Sequence, residues 1–212
     1  MEGFTPFIGF PELTRAYHAT RLFPFFEQRV MDSRRPDFPE YVTALGLSRT
    51  AGEIELLARS SGNRIGDTVR VSLEPVIGDD GHCRYDFPVH GVRHVPDGER
   101  AGAVVRRLRV GQRLSLRAEP ANPVNARALQ VATEDGEIAL GWVPDLLLDF
   151  VHLLRESEPI VVTVLQVNRE DQPKHLGLLV QIEGEGPPGY RGFSGPRWNP
   201  IDPARLGGAT NR

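Results

Sequence analysis

The chain has 212 residues, of which 40% are hydrophobic and 25% are charged. These fractions are close to the averages of globular proteins, and they exclude a fully disordered chain, a collagen and a coiled coil. The net charge of −3 provides no general basic field that would attract a polyanion to the whole molecule.

The amino-terminal residues and the cysteine content indicate the compartment. No window approaches the roughly eighteen apolar residues of a membrane span, and residues 1–21 mix charged with apolar side chains, unlike a secretory signal. The single cysteine, Cys83, cannot form an internal disulfide, which fits a reducing compartment. We therefore expect a cytoplasmic protein with no membrane partner.

Three short helices are predicted in the first third of the chain, because apolar side chains recur at helical spacing between residues that begin and end helices. They are expected at residues 24–31, 36–45 and 53–59. An aromatic cluster of Phe23, Phe25 and Phe26 lies at the first of them. We therefore expect a compact helical subdomain at the amino terminus.

After Gly66 the apolar residues alternate, which is typical of strands. A further helix is predicted at residues 145–154, where a stripe of apolar side chains follows Asp145, a residue suited to cap the amino end. Strands are predicted at residues 68–74, 85–95, 114–116, 128–132, 138–143, 160–167 and 176–182, the last two as a closing hairpin.

Beyond Gly184 the composition changes to glycine, proline and arginine. So few core-forming residues cannot offset the entropy of ordering the backbone, so a mostly disordered tail is expected at residues 185–212. Three aromatic residues interrupt this tail and could dock on a partner: Tyr190, Phe193 and Trp198.

Enzyme signatures are missing from the sequence. It contains no phosphate-binding Gly-x4-Gly-Lys-Ser/Thr loop, no His-Glu-x2-His and no Gly-x-Ser-x-Gly elbow. His82, Cys83, His90 and His94 are the candidate zinc donors, but an adjacent His-Cys pair chelates poorly, and the two later histidines would lie about 13 Å apart along a strand. We expect no catalytic residue, no bound metal and no cofactor.

Basic side chains are concentrated in one segment. Residues 101–118 contain five arginines and no acid, whereas residues 134–158 contain seven acids and one arginine. An anionic partner is therefore expected on the former segment. Three of its arginines are candidate phosphate contacts: Arg106, Arg107 and Arg113.

The segment from Leu114 to Val143 carries the most specific pattern. A strand is followed by Glu119-Pro-Ala-Asn-Pro-Val-Asn, a second strand, a hairpin turn at Gly136, and then Gly141-Trp-Val-Pro before a helix. This order resembles the HIRAN family over about residues 88–182, with Gly91-Val-Arg-His matching the family's opening Gly-x-Arg-aromatic strand. The resemblance implies a small OB-like β-barrel.

The predicted fold is therefore α+β. It comprises a small helical amino-terminal subdomain at residues 1–75, an OB-like β-barrel with one packed helix at residues 76–184, and the tail at residues 185–212.

Members of this family that are attached to DNA-remodelling helicases bind the 3′ end of a single strand, so the resemblance implies nucleic-acid binding. Asparagine and basic side chains can hold a terminal hydroxyl and phosphates while a ring stacks on a base. The residues that correspond here are Arg93, His94, Asn122 and Asn125. Ordinary turn chemistry is the alternative for the two asparagines, and a core position is the alternative for Trp142.

Several positions depart from the family pattern. Val124 stands where strand-end-binding members have tyrosine, Asn125 replaces a carboxylate, Ala121 replaces a second asparagine, and Asp145 lies where a basic residue usually follows Pro144. These changes remove a stacking ring and a phosphate contact. They leave weak, salt-sensitive binding as the expectation.

The first 75 residues resemble, more faintly, the amino-terminal subdomain of HipA-type toxin kinases. The match includes Phe25-Phe-Glu27, the Leu45-Gly-Leu47 helix end and Gly66-Asp-Thr-Val-Arg-Val71. The kinase core is missing from the sequence, so this resemblance implies a protein-binding surface at Phe23, Phe25 and Phe26; a helical core cluster is the alternative.

Two functions follow. The first is a non-catalytic bacterial accessory protein that binds single-stranded DNA or DNA ends. The alternative is a regulator that docks a HipA-like kinase or another protein, such as a helicase or nuclease encoded nearby.

Overall fold

The computed structural model describes residues 6–12, 15, 17–62, 64, 69–157, 159–168, 176–195 and 198. Within these residues no helix is long and apolar enough to cross a membrane.

An antiparallel sheet of six strands forms the centre of the described structure. Its strands lie in the order β1-β6-β5-β2-β3-β4, so the first and last strands in sequence pair at one edge of the sheet and β4 forms the other edge. The strands are β1 (His82–Pro88), β2 (Arg113–Ala118), β3 (Leu129–Thr133), β4 (Ala139–Trp142), β5 (Val161–Val167) and β6 (Leu178–Glu185).

The two edges of this sheet are joined at one point. His90, just beyond β1, exchanges two backbone hydrogen bonds of 2.9 and 2.8 Å with Trp142 of β4. The adjacent Val89 donates to the carbonyl of Leu178 in β6 at 2.9 Å. The chain after β1 therefore contacts both β6 and β4, which curls the sheet into the barrel-like form that was predicted.

Helix α5 (Leu148–Ser157) covers the interior of the curled sheet, entered through one turn of 3-10 helix at Asp145–Leu147. Phe150, Val151 and Leu154 of this helix are at most 1% exposed and belong to the main apolar core. The predicted helix at residues 145–154 is confirmed, with its first turn tightened.

The three amino-terminal helices are present as predicted: α1 (Pro24–Glu27), shorter than expected, α2 (Phe38–Ala44) and α3 (Glu53–Arg59). Residues in and around α2 and α3 form a second, small apolar core with Leu176, which lies two residues before β6. Side chains of the sheet also cap the end of α2: Gln166 Nε2 donates to the carbonyl of Thr43 at 2.7 Å, and Asn168 Nδ2 to that of Ala44 at 2.6 Å. These bonds attach the helical part to the β5–β6 hairpin.

Two predictions along the chain are wrong. Residues 69–74 form no strand, because Val71 donates to the carbonyl of Ser61 and packs on Gly62 at the end of α3 instead of pairing in the sheet. The strand expected at residues 85–95 ends at Pro88, and residues 91–97 turn away. The sequence analysis also missed helix α4 (Gly98–Val105), whose glycines and valines are weak helix formers.

The first part of the predicted tail packs on α5 and on the residues that precede β1. The carbonyl of Tyr190 accepts a hydrogen bond from Ile77 at 2.9 Å, and the Tyr190 ring stacks near Phe150 with centroids 6.4 Å apart. Arg191 forms an ion pair with Glu74. Ordered packing thus continues beyond residue 185, and most of the rest of the predicted tail, residues 196, 197 and 199–212, lies outside the described residues.

Candidate nucleic-acid interface

A half-buried glutamate connects two parts of the candidate site. Oε2 of Glu119, in the loop after β2, accepts a hydrogen bond of 2.6 Å from the indole Nε1 of Trp142 and one of 2.7 Å from Nδ2 of Asn122. Trp142 belongs to β4, at the edge that joins His90. The loop that carries Asn122 is therefore fixed to the joined edges of the sheet.

These two donors change the ionisation of the glutamate. The hydrogen bonds from Asn122 and Trp142 stabilise its ionised form and hold the pKa of the Glu119 carboxyl below its ordinary value. The charge of Arg117 acts in the same direction. The carboxylate is thus a stable negative group inside the loop.

The side chain of Asn122 builds the loop around itself. Its Oδ1 accepts hydrogen bonds from the backbone amides of Val124 at 3.0 Å and Asn125 at 3.1 Å. Both of its polar atoms therefore have partners inside the loop, counting the bond to Glu119. These are the local turn hydrogen bonds that the sequence analysis gave as the alternative to ligand binding for this asparagine. A ligand could contact Asn122 only in addition to them.

A second set of polar contacts attaches this loop to the start of α5. Nδ2 of Asn125 donates to Asp145 Oδ1 at 3.1 Å, and Arg127 forms an ion pair with Asp149. The carbonyl of Arg127 also lies 2.9 Å from Nε2 of His152. The loop is held from both sides, so its outward-facing residues have fixed positions.

The tip of the loop presents an apolar side chain to solvent. Val124 is 86% exposed, although its backbone amide is held by Asn122. A valine in this setting contributes nothing to a core. It is available to contact a partner.

A tight turn at residues 91–97 lies on the other side of Trp142. Gly91 has φ +70°, and a Cβ there would lie 2.8 Å from Cε3 of the Trp142 ring. A Cβ at Gly98, the first residue of α4, would lie 2.8 Å from the carbonyl oxygen of Arg93. The backbone of this turn is therefore enclosed, whereas the side chains of Arg93 and His94 are exposed.

The structure thus brings the predicted residues Arg93 and His94 to the same edge of the sheet as Asn122 and Asn125. Trp142 separates the two pairs and contacts both segments. It is half-buried and hydrogen-bonded, so it supports the surface between them. We call these four residues, together with Val124, the edge surface.

The remaining basic candidates lie elsewhere. Helix α4 has eight residues and separates Arg93 from Arg106 and Arg107 by about 12 Å of helix. Arg113 begins β2, so about 17 Å of strand separates it from the loop that follows Ala118. All three arginines are exposed, but the structure does not join them to the edge surface.

The aromatic residues of the amino-terminal part contact one another. Phe25 and Phe26 meet at a centroid distance of 5.2 Å, and Phe23 lies 4.9 Å from Phe10, which also contacts Tyr17 at 5.1 Å. This arrangement is that of a self-packed cluster. The protein-docking role of Phe23, Phe25 and Phe26 stays a prediction, as does the resemblance to HipA-type kinases.

The candidate zinc donors do not converge in the described part of the chain, where no three His, Cys, Asp or Glu side chains are grouped as metal ligands would be. His82 is exposed and Cys83 is buried on β1, which places them on opposite faces. Burial raises the pKa of the Cys83 thiol.

The sequence analysis missed the role of Glu119. Its position in the Glu-Pro-x-Asn-Pro loop marked it as part of a motif, but the motif alone does not show that an indole from another strand donates to it. The signal that could have suggested it is the indole N–H of Trp142, because a buried tryptophan usually donates this N–H to an acceptor.

The fold defines a small α+β protein built on a curled, six-stranded antiparallel sheet. Its sequence matches no protein family model, and no curated protein is similar to it. Two solved structures are similar at the level of fold.

One is a protein from Lactobacillus plantarum, at 20% identity with a TM-score of 0.37, covering 49% of this chain and 97% of that one. The other is the HIRAN domain of human HLTF, at 13% identity with a TM-score of 0.30, covering 53% of this chain and 79% of that one. The second of these structures belongs to the family that the sequence resembles.

Proposed function

We propose that this protein is a non-catalytic, cytoplasmic nucleic-acid-binding module whose edge surface binds single-stranded DNA or a DNA end. The observation that carries the proposal is the pair of contacts made by Trp142, to Glu119 on one side and against Gly91 on the other. Through these contacts an exposed arginine and an exposed imidazole lie beside a rigid loop with an apolar tip.

Each exposed group of the edge surface has a chemistry suited to a nucleotide. The guanidinium of Arg93 binds a phosphate, and the ring of His94 offers a face on which a base stacks. Val124 adds an apolar contact to a base or sugar. The asparagines hold the loop in shape, and the second N–H of each amide can donate to a hydroxyl or phosphate oxygen.

The local charge balance indicates weak binding. Asp97, Glu99 and Asp145 are exposed in the segments that flank the edge surface, and their charges oppose those of a phosphate chain. Arg93 is the cationic group of the edge surface itself, and the exposed Arg100 on α4 offsets one of these acids. With so few phosphates neutralised, we expect a Kd of about 1–100 μM at physiological salt, with only a shallow salt dependence.

The test is fluorescence anisotropy with short DNA oligonucleotides that end in a 3′-hydroxyl or a 3′-phosphate, measured over a range of salt. Arg93→Gln should weaken binding at least about threefold and reduce the salt slope by about 0.7, the value for one phosphate contact on a single strand. Arg84→Gln is the matched control, because Arg84 is exposed on β1 and lies within 3.7 Å of Glu183 on the sheet, away from the loop.

A preference for the 3′-hydroxyl over the 3′-phosphate would assign the surface to strand ends, and equal affinity would assign it to the body of a single strand. Absence of binding at low salt, or equal losses in the Arg93 and Arg84 variants, would refute the proposal.

A further inference from the structure

The outer edge of β1 is the side that faces away from β6. Just beyond β1, the amide of Val89 donates to the carbonyl of Leu178 at 2.9 Å, and just before it the carbonyl of Gly81 accepts from Gly186 at 3.0 Å. The pairing of β1 with β6 runs without a shift between these points. Since backbone groups alternate in direction along an antiparallel strand, odd-numbered residues of β1 pair with β6 and even-numbered residues face the outer edge.

The middle of this outer edge is unpaired. At one end the carbonyl of His82 accepts from the amide of Gly78 at 2.9 Å, and at the other end His90 pairs with Trp142. Three residues between these ends have outward-facing backbone groups with no hydrogen-bond partner in the described part of the chain: Arg84, Asp86 and Pro88. We call this stretch the free edge. An unpaired edge of this kind is a template for another extended segment.

Residues 71–76 precede β1 and lie beside the free edge without a backbone hydrogen bond to it. A cavity of about 250 Å³ has residues 70–72 in one wall and residues 85–88 in another. The contact across this gap is made by a side chain, since the hydroxyl of Tyr85 donates to the carbonyl of Leu73 at 2.8 Å. The segment is therefore close to the free edge and separated from it by empty space.

The turn between this segment and β1 sets the register that pairing would take. Gly78 lies opposite His82 across a loop of three residues, and the last of them, Gly81, has the left-handed φ of +80° that closes such a hairpin. Pairing continued from this turn would place Val76 opposite Arg84. It would likewise place residues 74 and 72 opposite residues 86 and 88, so even-numbered residues of both segments would face each other.

This register matches the alternation of apolar residues in the segment. Leu73 would lie opposite Phe87, which is 1% exposed in the main apolar core, whereas Leu73 is now 46% exposed. Ser72 and Glu74 would face away from that core. The nitrogen of Pro75, which cannot donate, would point away from β1, as proline requires in an edge strand.

Other contacts hold the segment in its unpaired position. The amide of Val71 donates to the carbonyl of Ser61 at 3.0 Å, at the end of α3. Glu74 forms an ion pair with Arg191. These contacts compete with pairing, because Val71 and Glu74 must move to reach the free edge.

We propose that residues 71–76 are a strap that closes onto the free edge as a seventh strand and covers the cavity between them. In the open state, described here, Val71 is held at the end of α3 and Leu73 is exposed. In the closed state the strap completes the hydrogen bonds of the free edge and Leu73 joins the core. The proposal does not depend on nucleic-acid binding, because the strap and the free edge lie outside the edge surface.

Hydrogen exchange of the full chain, followed by amide NMR, tests the closed state. Five amides would face the new ladder and have no backbone partner in the open state within the described part of the chain: Ser72, Glu74, Val76, Arg84 and Asp86. They should exchange at least about threefold more slowly than in an unfolded chain. The amide of Leu73 faces away from β1 in the closed state and should show no such protection.

A proline at residue 76 tests the donor that closure needs. The amide of Val76 donates no hydrogen bond in the open state, where the neighbouring residues 75 and 77 pair with residues 190–192. Val76→Pro should therefore return the amides of Arg84 and Asp86 to unprotected rates. Val76→Thr is the matched control, because it keeps the N–H and a β-branched side chain and should keep the protection. Unchanged slow exchange of Phe87, which pairs with β6, shows that the sheet is intact.

A third variant should favour closure. Glu74 would lie opposite Asp86, whose carboxylate accepts a bond of 2.9 Å from Arg59, and like charges directly opposite each other destabilise a sheet. Glu74→Thr removes this repulsion and the ion pair with Arg191. It should slow exchange at Arg84 and Asp86 by a further factor of about three.

Unprotected amides at Arg84 and Asp86 in both the parent and Glu74→Thr would overturn the proposal. Protection that is equal at even- and odd-numbered residues of the strap, or that persists in a folded Val76→Pro variant, would overturn it as well. Light scattering would identify a dimer. Protection that is lost as a dimer dissociates on dilution would show that the free edge receives a strand from a second copy and not from its own strap.

Discussion

The indole Nε1 of Trp142 donates a hydrogen bond of 2.6 Å to Oε2 of Glu119. The two residues are 23 positions apart, with Trp142 in β4 and Glu119 in the loop after β2. The same tryptophan pairs through its backbone with His90. One residue therefore joins the sheet edges and fixes the loop that carries Asn122. The contacts around it lead to four predictions.

Replacing Gly91 tests the packing of the turn on Trp142. In Gly91→Ala, the new Cβ would lie 2.8 Å from the indole ring, and the backbone would keep a left-handed φ of +70°. We expect a loss of about 2–5 kcal/mol in the free energy of unfolding, the sum of backbone strain and overpacking. Urea denaturation measures the loss, and tryptophan fluorescence should report a displaced indole.

Gly111→Ala is the matched control for that change. Gly111 has φ +80°, but a Cβ there would meet nothing within 4 Å. Its free energy of unfolding should fall only by the cost of the backbone strain, about 1–2 kcal/mol. Equal losses in the two variants would show that Gly91 does not pack on Trp142.

The ionisation of Glu119 should make part of the stability depend on pH. Its folded pKa lies below the ordinary value of 4.5, so its stabilising contribution is complete above that value and is lost as pH falls through the folded pKa. Glu119→Gln should therefore have a lower free energy of unfolding than the parent at neutral pH, and the difference should shrink below pH about 4.5.

Urea denaturation at several pH values measures this dependence. Glu137→Gln removes an exposed carboxylate from the β3–β4 turn and controls for the loss of one negative charge. Parallel pH profiles for the parent and Glu119→Gln would contradict the prediction.

Two substitutions in the loop distinguish a residue that holds the loop in shape, Asn122, from a residue that is exposed to a partner, Val124. Asn122→Ala removes two amide caps and the bond to Glu119, so we expect a loss of about 1–3 kcal/mol in the free energy of unfolding. Val124→Ala changes a side chain that is 86% exposed, so stability should stay within about 0.5 kcal/mol.

The same pair should differ in oligonucleotide binding. If Val124 contacts a base, Val124→Ala weakens binding measured by anisotropy while the fold stays intact. A stable Asn122→Ala variant would mean that the amide does not build the loop.

The distance along α4 predicts a dependence on strand length. Arg106 and Arg107 lie about 12 Å of helix from Arg93, a span of up to about four nucleotides at 3.4 Å each. Changing both to Gln should leave the affinity for a strand shorter than this span unchanged. For a strand of about fifteen nucleotides, it should reduce the salt slope by up to about 1.4.

Anisotropy with the two lengths of strand makes the comparison. Arg93→Gln should weaken binding to both lengths. An equal effect of the double change on short and long strands would place these arginines at the edge surface instead.

The sequence by itself determined most of the secondary structure and the loop motif. Short apolar runs bounded by turn residues located β2 to β6, and the apolar stripe after Asp145 located α5. The Asn122 loop was recognised because asparagine, proline and a following strand are local features. Such features depend on neighbours in the chain and can be read without knowing the fold.

Only the tertiary structure decided which of these parts meet. Of the strand expected at residues 68–74, the described residues 69–74 form no strand because Val71 packs on Gly62, and α4 formed where local propensity is weak. The bond from Trp142 to Glu119 and the pairing of Arg59 with Asp86 join residues distant in sequence. Their partners depend on how the sheet curls and on how the helical part attaches to it. Neither can be predicted from a pattern of residues that are neighbours in the chain.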